Sequence, residues 1–278
     1  MNYRIIADSC CDATPELCKD LGIEIVPLTL TLEGKSYTDD DELDLPQFME
    51  DMKNCTGRIG SASPSPVLFK EAFQGIHTSF AVTLSKNLSG SFLSAMLGKE
   101  MAEEEEEGAD VHVFDSKSAS AGEVLVALKI AKMIGAGFQK EKIISHVESF
   151  ISEMKTYFVL ENIDNLLKNG RMGKITGKII SALNIKPIMG ADKDGNIALF
   201  SHARGQRQII EKLADTIEKS GRDVEGESMV IAHCNNPGLA ERLMEAIKKR
   251  YRFREIFIVP TRGISTIYAN DKGIVMAF

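Results

Sequence analysis

The sequence predicts an α/β protein: a parallel sheet flanked by helices in its first part, and an α+β arrangement in its second. Three observations carry this. Short apolar runs alternate with helical stretches up to about residue 155. Beyond residue 156 apolar runs flank a hairpin signal, Asp194–Gly195, instead. With 44% hydrophobic and 26% charged residues, the 278-residue chain has enough apolar material for a substantial core. The expected division is 1–155, an N-terminal α/β domain, and 156–278, a C-terminal α+β domain.

YRIIADS (3–9) reads as the first strand. Thr14 caps a helix with Pro15 at its first position, and Gly22 ends it. IEIVPLTLTL (23–32) reads as one strand and EGKSY as a turn; Asp44 and Pro46 open a helix to about Lys53. After the loop GRIGSASPSP, Ser65–Pro66 starts another helix. HTSFAVTLS (77–85) is a buried strand running into a helix from about Ser89, and ADVHVFDS (109–116) is the next strand, followed by helices over 121–136 and 140–154. TYFVLEN (156–162) is strand-like; NLLKNGRMGK and TGKIISAL are short helical pieces around Gly170 and Gly173. The hairpin around Asp194–Gly195 precedes a helix over 205–219, strand SMVIAHC, a helix over 237–250, strand REIFIVP and the last strand GIVMAF.

A net charge of −7, with no basic stripe interleaved with aromatics, argues against nucleic acid. No apolar run is long enough for a membrane span, and MNYRIIADS has no signal-peptide pattern. Cys10, Cys11, Cys18, Cys55 and Cys234 are scattered, without a CxxC; this suits reduced thiols in a cytoplasmic protein. Glu103–Glu107 reads as a solvated helix end. Met49, Met52, Met96 and Phe92 have the spacing of core residues, though such residues can also line a tunnel.

SKNLSGS (85–91) holds the most informative chemistry. Where a strand becomes a helix, unpaired N–H groups and a partial positive charge attract anions, and glycine permits close approach. Ser89 therefore reads as a helix cap, as one wall of an anion pocket, or as a nucleophile. The nucleophile is the weakest reading: N-L-S-G-S lacks the G-x-S-x-G elbow, and no motif ties His77, His112, His146, His202 or His233 to it. Ser61, Ser63 and Ser65 crowd another loop. Asp8–Ser9 and Asp115–Ser116 both end strands that would share one edge of a parallel sheet, and they read first as loop caps. Arg171 and Arg204 are candidate anion or protein contacts.

Several stretches, in order, resemble the DegV family of bacterial fatty-acid-binding proteins: DSCCDAT (8–14), SASPS (61–65), LSGS (88–91), VFDSKSASAG (113–122), LLKNGRMGK (166–174) and LNIKPIM with DGNI. The resemblance implies a two-domain fold with a long-chain fatty acid buried between the domains and no cofactor. It implies a carrier, not an enzyme, that presents the acid to a separate ATP-dependent fatty acid kinase and so supports phospholipid synthesis. Transient contact with a membrane surface is compatible with that role. By position it assigns carboxylate binding to Ser61 and Ser89 with Gly90 and Ser91, and kinase contact to Arg171 and Arg204. The family often has a histidine where Tyr268 stands in YANDK (268–272); Tyr268 can donate a neutral hydrogen bond there. A serine esterase using Ser89, or a sensor of another small anion, are the competing readings.

Overall fold

The computed structural model describes residues 3–75, 78–172 and 185–278. The expected piece TGKIISAL, Gly173, the first residues of LNIKPIM and His77 lie outside the described residues.

Four parallel strands, β1 (Tyr3–Asp8), β2 (Ile23–Val26), β6 (Thr78–Thr83) and β7 (Asp110–Asp115), form a sheet in the order β2-β1-β6-β7. Each connection between them carries at least one helix, the usual crossover between parallel strands. Helix α1 (Pro15–Leu21) is capped by Thr14, whose hydroxyl accepts the Leu17 N–H at 3.2 Å. Helix α2 (Leu45–Asn54) is capped by Asp44 and α3 (Pro66–Phe73) by Ser65. Helix α4 (Ser91–Glu105) follows β6. Six strands form a mixed second sheet: β8 (Thr156–Val159), β9 (Ile185–Ala191), β10 (Ile197–Arg204), β11 (Ser228–His233), β12 (Glu255–Pro260) and β13 (Ile274–Ala277), in the order β10-β9-β8-β13-β11-β12. Only β11 and β12 pair in parallel, across the crossover helix α9 (Pro237–Lys248). Helices α7 (Asp164–Lys168), α8 (Gly205–Lys219) and α10 (Gly263–Ala269) complete this part.

The layers follow from which helix faces are apolar. Helix α5 (Ala121–Gly135) is apolar nearly all round, and its residues Val124, Leu125, Val126 and Ala127 are buried. Such a helix needs cover on more than one side. It packs on Ile5, Ala7, Phe80 and Val82 of the first sheet and on Val230, Ala232, Val275 and Ala277 of the second, joining both in one core. Helix α6 (Lys140–Glu153) packs beside it. Helices α3 and α4 cover the outer face of the first sheet; α8 and α9 cover that of the second. The order is thus helix, sheet, helix, sheet, helix. No helix of the described residues is long and apolar enough to cross a membrane.

Five local expectations change. The run 23–32 is two strands: Pro27 has no N–H for a ladder, and the chain leaves the parallel sheet there. Its second part is β3 (Thr29–Leu32), which with β4 (Lys35–Thr38) and β5 (Ile59–Ala62) makes a three-stranded antiparallel sheet. EGKSY is therefore a hairpin, not a bare turn, and the loop GRIGSASPSP contains a strand. Helix α10 was not anticipated. TYFVLEN pairs only as far as Val159.

Candidate functional site

Local folding brings the C-terminal ends of the parallel strands against the three-stranded sheet and α10. Asp8 and Asp115, the acids ending β1 and β7, both brace the loop after β6. Asp8 accepts the Leu84 N–H at 3.0 Å, and Asp115 accepts the Lys86 N–H at 3.3 Å. The loop-cap reading of the two Asp–Ser pairs therefore holds. Ser9 and Asp39 seat the roof. The Ser9 hydroxyl donates to Asp39 at 2.8 Å and accepts the Leu28 N–H at 3.0 Å. Asp39 also accepts the Gly263 and Ile264 N–H groups at 2.8 and 2.9 Å, anchoring α10. Burial holds the Asp39 carboxyl above the usual carboxylate range despite these donors.

Between these parts lies a cavity of about 370 Å³. Leu28, Leu84 and Leu88 line it from one side, and Phe158, Leu160, Leu166, Ile197 and Val275 from the other. Its polar lining gathers in two places. At one, the Ser61 hydroxyl from β5 lies 3.0 Å from the Tyr268 hydroxyl at the end of α10. Ser63, Ser89, Gly90 and Arg171 line the cavity there too. A Cβ at Gly90 would stand 3.1 Å from the Ser63 hydroxyl, so these two loops touch. The Arg171 guanidinium donates from Nε to the Leu88 carbonyl at 3.2 Å and lies 6.0 Å from the centre of the Tyr268 ring. Arg171 is the one charged residue lining the cavity among the described residues. At the second place the polar groups are already paired: Ser118 with Thr156 at 2.7 Å, and Ser120 with Asp12.

The sequence-derived residues thus divide. Ser61, Ser89, Gly90 and Tyr268 converge at the cavity wall. Ser91 does not line it; fully buried, it stands behind Ser89, the two hydroxyls 3.2 Å apart. Helix α4 begins two residues later than anticipated, with Gly90 at its cap position, so Ser89 is not the N-cap. Instead the Ser89 hydroxyl accepts the Ser91 N–H at 3.2 Å in a tight local turn. Arg171 is drawn into the cavity wall. Arg204 lies away from the cavity: it is exposed at the end of β10, where its N–H donates to Gln208 at 2.7 Å. Phe92, Met96, Met49 and Met52 pack against core clusters and line no part of the cavity. No histidine lines it among the described residues.

Two features went unread in the sequence. The tip of the β9–β10 hairpin closes over the cavity: Gly195, Asn196 and Ile197 line it, and the Ser85 hydroxyl donates to the Gly195 carbonyl at 2.8 Å. Helix α10 supplies Ile264, Ser265 and Tyr268. The spacing of Ile264, Ile267 and Tyr268, at i, i+3 and i+4, was a usable helix signal.

The family model described as "Uncharacterised protein, DegV family" matches residues 2–277. A DegV domain-containing protein of Streptococcus pyogenes serotype M3 is 34% identical over 280 residues, covering 100% of this chain and 99% of that protein. A DegV family protein from Ruminococcus gnavus, solved with vaccenic acid, superposes with a TM-score of 0.95 at 41% identity and covers 99% of each chain. The Streptococcus pneumoniae Fatty Acid Kinase (Fak) B3 protein, loaded with linoleic acid, gives 0.92 at 34% identity over 100% of this chain and 99% of that one. A DegV family protein from Eubacterium eligens loaded with heptadecanoic acid gives 0.91 at 27% identity, over 99% of each chain. With a family model spanning nearly its whole length and relatives matched from end to end, the chain belongs to the DegV family.

Proposed function

We propose that this protein binds a long-chain fatty acid in the cavity, with the carboxylate at the wall formed by Ser61, Ser89, Gly90, Tyr268 and Arg171. One observation carries the reading: the cavity is walled by leucine, isoleucine and phenylalanine, yet at one wall hydroxyls and the one cationic lining residue among the described residues converge. A volume of about 370 Å³ suits a small-molecule ligand. Ser91 contributes from behind, by positioning Ser89.

In this reading the protein is a carrier with no turnover of its own, and it requires no cofactor. The carboxylate is presented to a separate ATP-dependent fatty acid kinase, and the activated acid enters phospholipid synthesis. The relative named as Fak B3 supports that assignment. Arg204, exposed outside the cavity, is available to a partner protein; Arg171, tethered to the Leu88 carbonyl, links any such partner's approach to the head-group loop. We take 1–155 and 156–278 as the two domains of this carrier and the cytosol as its compartment, where its five free cysteines stay reduced.

The test is mass spectrometry of the small molecules released when the purified protein is denatured, with binding of added fatty acids to the delipidated protein. A straight-chain or monounsaturated fatty acid in near-stoichiometric amount is the expected result. Absence of both native acyl ligand and binding of added fatty acid overturns the proposal; a burst of ester hydrolysis dependent on Ser89 would replace it with the esterase reading.

A further inference from the structure

Away from the head-group wall, the cavity carries polar side chains for which a plain hydrocarbon chain has no use. Ser118, from the loop after β7, and Thr156, at the start of β8, both line it, at 3% and 6% exposure. Their hydroxyls lie 2.7 Å apart. Gly122 of α5 leaves room for the pair: a Cβ there would stand 2.0 Å from the Ser118 oxygen. The pair is set back from the carboxylate wall. Thr156 and Phe158 on β8, and Leu160 just beyond it, line the cavity at alternate positions, and Leu160 shares a core cluster with Tyr268. At about 3.3 Å per residue, Thr156 lies roughly 13 Å back along the strand from Leu160. A ligand with its carboxylate at the wall therefore brings the middle of a long chain to the pair.

The pair has more hydrogen-bonding capacity than the protein uses. Two hydroxyls carry two protons, and their mutual bond takes one. If Thr156 donates, the Ser118 proton has the Ala119 carbonyl at 3.4 Å, a long contact for an O–H donor. If Ser118 donates, the Thr156 proton has no acceptor among the described residues. A buried O–H without a good acceptor is costly, and in a native protein it points to a partner that supplies one. The surroundings narrow that partner's chemistry. Ser120, also lining the cavity, gives its hydroxyl to the buried acid Asp12. Arg171, the one cation lining the cavity among the described residues, belongs to the head-group wall. A second carboxylate in mid-chain would meet a buried acid and no cation, whereas a neutral oxygen meets the spare proton.

We propose that the Ser118–Thr156 pair is a second recognition point for the acyl chain, through which the cavity takes fatty acids carrying a neutral oxygen, hydroxyl or keto, in mid-chain. A ligand hydroxyl accepts the spare proton and donates to a free lone pair of the pair; a keto oxygen accepts alone. Plain chains still bind, because burial of hydrocarbon drives their affinity, but they leave the spare proton unanswered. In a wholly apolar tunnel an in-chain hydroxyl loses its water partners and costs affinity at every position. Here the cost disappears at the position that reaches the pair. This rests on the fatty-acid reading given above.

Affinities of the delipidated protein for stearic acid and for a positional series of monohydroxystearic acids test it. Isomers whose hydroxyl meets the apolar lining should bind about tenfold or more weakly than stearic acid, and a mid-chain isomer should match or exceed it. A uniform loss along the series overturns the proposal. The double variant Ser118→Ala/Thr156→Val removes both partners together, so it leaves no orphaned hydroxyl. It should bind stearic acid as wild type does and bind the favoured isomer about tenfold more weakly. Unchanged binding of that isomer overturns the role of the pair. Thr156→Val alone, which keeps the side-chain shape, is the second variant should the double one not fold, and a smaller loss of the same isomer is expected from it. Protein that binds neither stearic acid nor any isomer refutes the fatty-acid reading itself, whereas stearic acid binding with no favoured isomer refutes this inference alone.

Discussion

The Gly195→Ala substitution should open the cavity without unfolding the protein. Gly195 sits at φ +82° at the tip of the β9–β10 hairpin. Placing an L-residue there costs roughly 1–2 kcal/mol. A Cβ would stand 2.5 Å from the Ser85 hydroxyl, 2.9 Å from the Lys117 Cα and 3.1 Å from the Lys117 carbonyl oxygen. Ser85 can rotate away; the Lys117 backbone cannot, since it already holds a φ of +52° and its N–H donates to Asp115 at 3.0 Å. The tip must therefore lift. Lifting breaks the Ser85–Gly195 bond of 2.8 Å and the Asn87–Asp194 bond of 2.6 Å, each worth about 1 kcal/mol net.

The strain falls on the closed tip alone, because the rest of the six-stranded sheet pairs independently of it. Losing these two closed-state bonds, about 2 kcal/mol together, raises the open population by about thirtyfold. Release of a fluorescent fatty acid, followed by stopped-flow, should accelerate by a large part of that factor, with a modest fall in Tm. Asn87→Ala removes one bond only and should accelerate release about fivefold. A Gly195→Ala protein whose Tm falls but whose release rate matches wild type would refute the tip as the cavity's gate.

Other outcomes follow from the same geometry. Ser89→Ala should weaken fatty-acid binding roughly ten- to hundredfold, a charged-acceptor hydrogen bond being worth about 1.5–3 kcal/mol, and should lower Tm only slightly; calorimetry and a melting curve read both. Tyr268→His should make affinity rise as pH falls through about 6.5, where an imidazolium faces the carboxylate; a flat titration from pH 5 to 8 would remove residue 268 from the head-group site. For stability, burial raises Asp8 to about 6 and Asp12 to about 7. The folded state thus holds these protons more tightly than the unfolded state. Their stabilisation is complete at about pH 4 and is lost as pH rises through 6 and 7, the Asp8 share being about 3 kcal/mol. Tm measured at constant ionic strength should fall by roughly 5–10 °C from pH 5 to 8, and a rise over that interval would contradict the buried-acid account.

Legibility in the sequence followed how local each determinant was. Caps at Thr14, Asp44 and Ser65 need only three residues of context, and all three sit where expected. The alternation of strands and helices gave the parallel sheet because each βαβ unit carries its own periodicity. Pro27 was misread because a proline can end a strand or sit at its edge, and only the three-stranded sheet decides which. The four segments of the head-group wall are separated by up to 207 residues, as between Ser61 and Tyr268. No periodicity links such segments, so motif resemblance, not local physics, placed Ser61, Ser89 and Tyr268 together. That same resemblance assigned Arg171 to the side facing the kinase; that it also lines the cavity, held by its Nε bond to Leu88, was not legible in the sequence.

The division of labour inside the cavity follows from magnitudes. About 16 methylenes at ~0.8 kcal/mol each give a gross gain on the order of 12 kcal/mol, against which association and ordering costs count heavily. The polar wall offers a few hydrogen bonds worth roughly 1.5–3 kcal/mol each to an anion. Affinity therefore scales with chain length and with how completely the hairpin tip excludes water, whereas the choice of an acid over an alcohol or ester rests on the wall alone. A change at Ser89, Ser61 or Tyr268 should shift which head group is accepted far more than which chain. A change in the apolar lining, such as Ile197→Ala, should do the reverse, shortening ligand residence for every chain that reaches it while leaving the acid-over-alcohol ratio where it was. Finding the two effects inseparable would mean that tail and head group do not occupy distinct walls.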